Sequence, residues 1–217
     1  MISSTLDRPV DRRTGTLQRA VPLAGVLFAG LQAAGNLTIG PFPDGTTPAG
    51  KLAGFYAAHG DHVALGGTLL GLSALCFAVF AAGLWARVRG AVPTAVGGLV
   101  LLGAAVETMA ELQGGSVYQL LGRIGVDPHV TVAALQAWHI SGSEFGTTGG
   151  IVLLLVGVAA AGIGWRAAPR WLAWTGLVLA AALFTPWSFI ATLVFLVWTA
   201  AAGVSLAVRP EPAPTIR

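Results

Sequence analysis

Charge is scarce in this chain. Asp, Glu, Lys and Arg together supply 10% of its 217 residues, while 55% are hydrophobic; a soluble domain carries about 25% charge. That scarcity excludes an ordinary soluble fold and points to an integral membrane protein, as does a mean hydropathy of +0.76. Cysteine is nearly absent too. The single Cys76 excludes an intrachain disulfide, and its apolar neighbours make it a small buried hydrophobe. Also missing are a phosphate loop, a nucleophile elbow, a CxxC pair and an aspartate-rich diphosphate-binding motif. The pI near 9.8 does not imply nucleic acid, because the basic residues stand at the ends of apolar runs and form no patch.

What is present is small and apolar. Thirty glycines and abundant alanine suit helices that approach closely in lipid. The length allows about six spans of ~20 residues and no soluble domain. The expected fold is therefore an all-α membrane bundle of about six transmembrane helices, plus a short outer re-entrant or interfacial helix. Residues 1–19 read as a disordered cytoplasmic lead-in, 20–208 as the membrane domain and 209–217 as a tail. Span 1 covers about Ala20 to Ile39; its basic start and Ala33-Ala34 also resemble a signal peptide, but the apolar run continues past those alanines. A loop rich in Pro and Gly leads to a helical patch, Leu52 to His59. Span 2 runs from His62 to Trp85 and span 3 from Val92 to Gly114, with a turn at Gly114-Gly115 and a loop to Pro128. His129 to Trp165 holds thirty-seven residues. As one helix it would be roughly 55 Å long, too long for a single crossing. It divides into an outer re-entrant or amphipathic helix (Val130 to Ile140), a turn at Ser141-Gly142-Ser143, and span 4 to Gly164. Span 5 (Trp171 to Phe184) breaks at Thr185-Pro186, and span 6 runs from Trp187 to Val208.

With both termini inside, ten of the twelve basic residues fall on the cytoplasmic side, and only Lys51 and Arg123 fall outside. This is the positive-inside bias of a multi-pass cell-membrane protein. The same topology puts six of nine acidic residues and all four histidines in the outer half.

The sharpest chemical signal is in span 3. Glu107 and Glu111 are one helical turn apart and share a face. A charge at membrane depth costs roughly 2.5–3.5 kcal/mol, and two like charges one turn apart add repulsion. Either the pair faces a polar cavity or one member keeps its proton and can act as an acid; a solvated pair at the mouth, or a pair with Arg123, is the plainer reading. Glu144, entering span 4 behind Ser141-Gly142-Ser143, is a third candidate acid. Trp138, His139 and Phe145 could line an apolar pocket with Tyr118, His62 and Trp187, although an interfacial aromatic belt explains the tryptophans almost as well. His59, Asp61 and His62 could be metal ligands, but Gly60 separates them and helix capping accounts for Asp61. No metal and no cofactor is expected.

Two stretches, FYAAHGDHVALGG before span 2 and PRWLAWTGLVLA opening span 5, resemble a broad group of small actinobacterial multi-span membrane proteins. In size, acids within spans and aromatics in the same half, the chain is also similar to small integral-membrane terpene cyclases, helical bundles that protonate a prenyl chain with buried acids. No specific motif aligns, so Glu107, Glu111 and Glu144 rest on the physics of buried acids. The resemblance implies a cyclase acting on a lipid-soluble isoprenoid, with membrane lipids as its surroundings and no nucleic acid. The alternatives are a proton- or cation-coupled transporter, or an accessory or structural membrane subunit.

The topology has a direct check. Single cysteines at Asp44 and Asp127 should react with an impermeant thiol reagent on whole cells, and one at Gly90 should not. Labelling at Gly90 would reverse the orientation.

Overall fold

The computed structural model describes residues 12–41, 43, 47–125, 127, 129, 131–144 and 148–208. These form seven helices and no strand: α1 (Arg12–Ile39), α2 (Ala49–Val88), α3 (Thr94–Ile124), α4 (Val132–Glu144), α5 (Thr148–Gly164), α6 (Arg170–Ala182) and α7 (Ser188–Val208). Pro48, Pro93 and Pro169 stand immediately before α2, α3 and α6, where a missing N–H removes no helical hydrogen bond. Four helices are long and apolar enough to cross a membrane: Ala20–Ile39 of α1, Gly50–Val88 of α2, α3 and α7. At 17 residues α5 is apolar but shorter, and the 13 residues of α6 reach only about 20 Å. Among the described residues, four of the expected six spans are thus of full spanning length. Leu27, Met109, Val178 and Val197 stay exposed, an apolar surface suited to lipid and unsuited to water.

The main contacts close a ring in the order α1, α2, α3, α5, α6, α7 and back to α1, while α4 packs on α2 and α3. The ring is filled by Phe28, Phe77, Phe80, Phe195 and Trp198 with leucines from α5. Phe28 and Phe77 have ring centroids 4.9 Å apart, and Phe77 and Phe195 6.1 Å. Arg87, Arg89, Arg166 and Arg170 mark one end of the bundle, called here the arginine end. At the other, projecting end, α2 begins 17 residues before Gly66, where the end of α1 packs through Ile39; α2 therefore extends roughly 25 Å farther. A second core forms there from Leu52, Tyr56, Val63, Leu121 and Leu135.

Several helix limits differ from the sequence expectation, and glycine explains two of them. The chain does not turn at Gly114-Gly115; α3 continues to Ile124. A Cβ at Gly115 would come within 2.6 Å of the Gly71 nitrogen and 2.8 Å of the Gly67 oxygen, so this glycine serves a backbone contact between α2 and α3. Seven residues on, Gly122 meets Gly60 in the same way, which is why Gly60 does not separate the Leu52–His59 patch from span 2. Both belong to α2. Helix α4 runs through Ser141–Ser143 without the expected turn and ends at Glu144. Helix α1 already begins at Arg12, while residues 1–11 and 209–217 lie outside the described residues.

The α2–α3 seam predicts a contrast between neighbours. Gly115→Leu should lower the thermal midpoint in detergent by the equivalent of about 1–3 kcal/mol or more, the usual cost of overpacking. Gly114→Ala, whose Cβ meets nothing within 4 Å, should hold or raise it, since a helix-interior glycine costs roughly 0.5–1 kcal/mol. Equal responses would contradict the seam.

Candidate acid-lined cavity

Because α3 extends past Gly114, Glu107 and Glu111 lie near its middle. Their surroundings differ. Helix α5 begins beside Glu107: a Cβ at Gly150 would approach the Glu107 nitrogen to 2.5 Å and its Cα to 2.8 Å. That close approach seals the side chain, leaving Glu107 fully buried. Neither of its carboxyl oxygens has a well-formed hydrogen bond among the described residues; the Ile151 backbone N–H, in the first turn of α5, is the donor that faces it. Such a group normally costs roughly 1–3 kcal/mol, and more when charged.

Glu111, one turn on, borders a cavity of about 500 Å³ enclosed by α1, α2, α3, α5 and α7. The Gln32 amide of α1 donates a hydrogen bond to Glu111 Oε2. Asn36 Nδ2 in turn donates to the Gln32 backbone oxygen at 2.8 Å. Gln32, Asn36, Glu111, Tyr118 and Thr192 are the polar lining. Phe28, Leu37, Leu70, Ile151, Phe189, Leu193, Phe195 and Leu196 supply most of the apolar wall. Among the described residues, no Lys, Arg or His lines it. Small residues keep it open: Ala33, Ala110 and Gly114 line it, and a Cβ at Gly114 would still meet nothing.

The mouth lies along α1 and α7. Toward the arginine end these helices touch closely, a Cβ at Gly203 reaching 2.5 Å from the Pro22 oxygen and one at Gly25 reaching 2.9 Å from the Thr199 oxygen. Toward the projecting end, the lining residues Leu37, Phe189 and Leu193 are exposed. The opening is thus framed by exposed leucine and phenylalanine, beside the exposed Asn36. Below the cavity, Phe28, Phe77, Phe195 and Trp198 close the bundle. The buried hydroxyls beyond, Ser73 and Thr199, bond to carbonyls of their own helices at 2.6 and 2.8 Å.

The other residues singled out in the sequence lie elsewhere. Tyr118 joins Glu111 at the cavity, but Trp138 and Trp187 are exposed and do not line it. His139 is buried under α4 and shares a 3.0 Å hydrogen bond with the Tyr56 hydroxyl, stitching α4 to α2. His62 is exposed and borders a separate pocket of about 200 Å³ with Tyr56, His59, Asp61 and Gly122. No set of three metal-ligating side chains occurs among the described residues. Phe145 lies outside the described residues, as does the side chain of Glu144. Sequence reasoning missed Gln32, an amide in the apolar run of span 1. Its signal was the one that exposed the glutamates: a polar side chain at membrane depth needs a partner.

If Glu107 is a cost the fold carries for another purpose, removing its polarity should help folding. Glu107→Met, of similar length, should raise the thermal midpoint by the equivalent of about 1–3 kcal/mol; a clear drop would assign the carboxyl a structural partner. The chain matches no protein-family model, and no curated protein or solved structure is detectably similar to it.

Proposed function

We propose that the chain crosses the cell membrane six times through α1, α2, α3, α5, α6 and α7, with both termini cytoplasmic, and that its cavity cyclises an isoprenoid substrate drawn from the bilayer. One observation carries this reading: a carboxyl, Glu111, stands on the wall of a largely apolar cavity whose mouth is framed by exposed Leu37, Phe189 and Leu193, with no Lys, Arg or His lining it among the described residues. A carboxylate there has no counter-charge, so the neutral acid is the inexpensive resting form. It is also the form that can protonate an alkene.

In the proposed reaction the Glu111 proton moves to the terminal alkene carbon of the prenyl chain, and the alkene electron pair forms the new C–H bond. The tertiary cation left behind is attacked by the next double bond, forming a C–C bond. Loss of a neighbouring C–H proton to a carboxylate ends the sequence and restores the acid, so the product is an isomer of the substrate. Phe28, Phe195, Phe189 and Tyr118 offer aromatic faces to the passing cation. Glu107, buried beneath, keeps a second carboxyl close to the site. Transport is the weaker reading, because the aromatic plug and self-bonded hydroxyls leave no polar path toward the arginine end among the described residues.

Membranes containing the protein, incubated with prenylated aromatic and linear isoprenoid substrates, should yield cyclised isomers of unchanged mass. Glu111→Gln should reduce the rate by about 10²–10⁴-fold, the usual contribution of a general acid. Gly114→Leu, which fills the cavity, should abolish it while the protein still folds. A panel with no isomerised substrate, together with a proton-coupled solute current, would replace this reading with transport.

A further inference from the structure

The composition of the cavity wall also selects among ligands by charge. Its carboxylic acid, Glu111, accepts a hydrogen bond at Oε2 from the neutral Gln32 amide, and among the described residues the remaining wall offers no Lys, Arg or His. Glu107 lies one turn below on the same stripe of α3, fully buried. Two carboxyls thus sit together with no basic side chain at the cavity among the described residues. An anionic ligand would meet this pair unshielded. A small divalent cation would find one carboxyl and two amides where such ions need about six oxygen ligands, in a chain with no three-ligand set among its described residues. A hydrated ion would have to leave its water in a wall that is mostly hydrocarbon. A cation carrying its own apolar body meets none of these objections. Its charge would pair with Glu111, its substituents would fill the space beside Leu70, Ile151 and Leu196, and the faces of Phe28, Phe195 and Tyr118 would attract it.

The geometry points to this cavity as a binding site for lipophilic ammonium compounds, long-chain amines that enter from the bilayer between α1 and α7 and seat their charged nitrogen against Glu111. The inference rests on the cavity being a ligand site, as in the function proposed above, but not on its chemistry. Proton and ammonium then compete for one carboxyl, since each supplies the positive charge that the wall lacks.

The test uses the full chain in zwitterionic nanodiscs. The probes are a tritiated dimethylammonium carrying a farnesyl chain, competed by itself, by the neutral hydrocarbon of the same shape and by the chain-matched carboxylate, with empty nanodiscs subtracted. The ammonium should bind about tenfold or more tightly than the neutral isostere, a desolvated charge–carboxylate and aromatic contact being worth at least that factor, and the carboxylate should not compete. Glu111→Gln should erase the preference while still binding the neutral chain. Gly114→Leu should bind none of the three. Equal binding of ammonium and hydrocarbon, or a preference that survives in Glu111→Gln, overturns the inference while leaving the cavity a ligand site. No binding of any probe overturns both. Ammonium binding by a protein that isomerises no substrate upholds the inference and removes the cyclase.

Discussion

A carboxyl buried in an apolar bundle, that of Glu107, is the constraint around which this molecule is arranged. Water-soluble and membrane proteins alike avoid such groups, because their desolvation is costly and seldom fully returned by contacts. Here the group is held in place by main-chain packing. Gly150 lets the first turn of α5 press on the backbone of α3 at Glu107, so the side chain cannot reach solvent without separating two helices. One turn away the constraint relaxes only partly: Glu111 has one amide donor from α1 and otherwise faces the cavity. The gradient from sealed to half-open along a single helical turn gives the site its polarity.

Glycine sets the geometry that makes this possible. Gly60, Gly67 and Gly71 bring α2 against Gly115 and Gly122 of α3, and Gly203 and Gly25 bring α7 against α1. Close approach at those points leaves the large side chains to fill the ring interior, where Phe28, Phe77 and Phe195 form the floor. The cavity exists because, above that floor, α1 and α7 present Ala33, Leu37 and Thr192 where bulkier residues would close the gap. The depth and the opening of the cavity follow from where small residues fall.

Much of this was legible in the sequence. Charge scarcity alone gave the membrane class, and the four-residue spacing of Glu107 and Glu111 placed both on one face. Proline at 93 and at 186 marked a helix start and a break. The remainder failed for identifiable reasons. Gly114-Gly115 reads equally as a turn or as a packing seam, and only the partner glycines on α2, more than forty residues away in the chain, decide between them. Ser141-Gly142-Ser143 poses the same ambiguity and resolves as helix. The bond from Gln32 to Glu111 joins residues 79 positions apart, beyond any local pattern. Trp138 and His139, adjacent in sequence, point in opposite senses, one exposed and one buried; a helix advances about 100° per residue, so neighbours seldom share a face.

Dryness of the cavity beside Glu111, and its continuity with lipid, separate an acid site from a solvated pair. A spin label on Gly114→Cys, in a Cys76→Ala background and reconstituted in bilayers, reads this directly through its collisions with two relaxing agents. High accessibility to apolar oxygen and low accessibility to a water-soluble nickel chelate are the expected result. The reverse, a label swept by the nickel chelate and shielded from oxygen, would make the site a water-filled vestibule and its carboxyls an ordinary solvated pair.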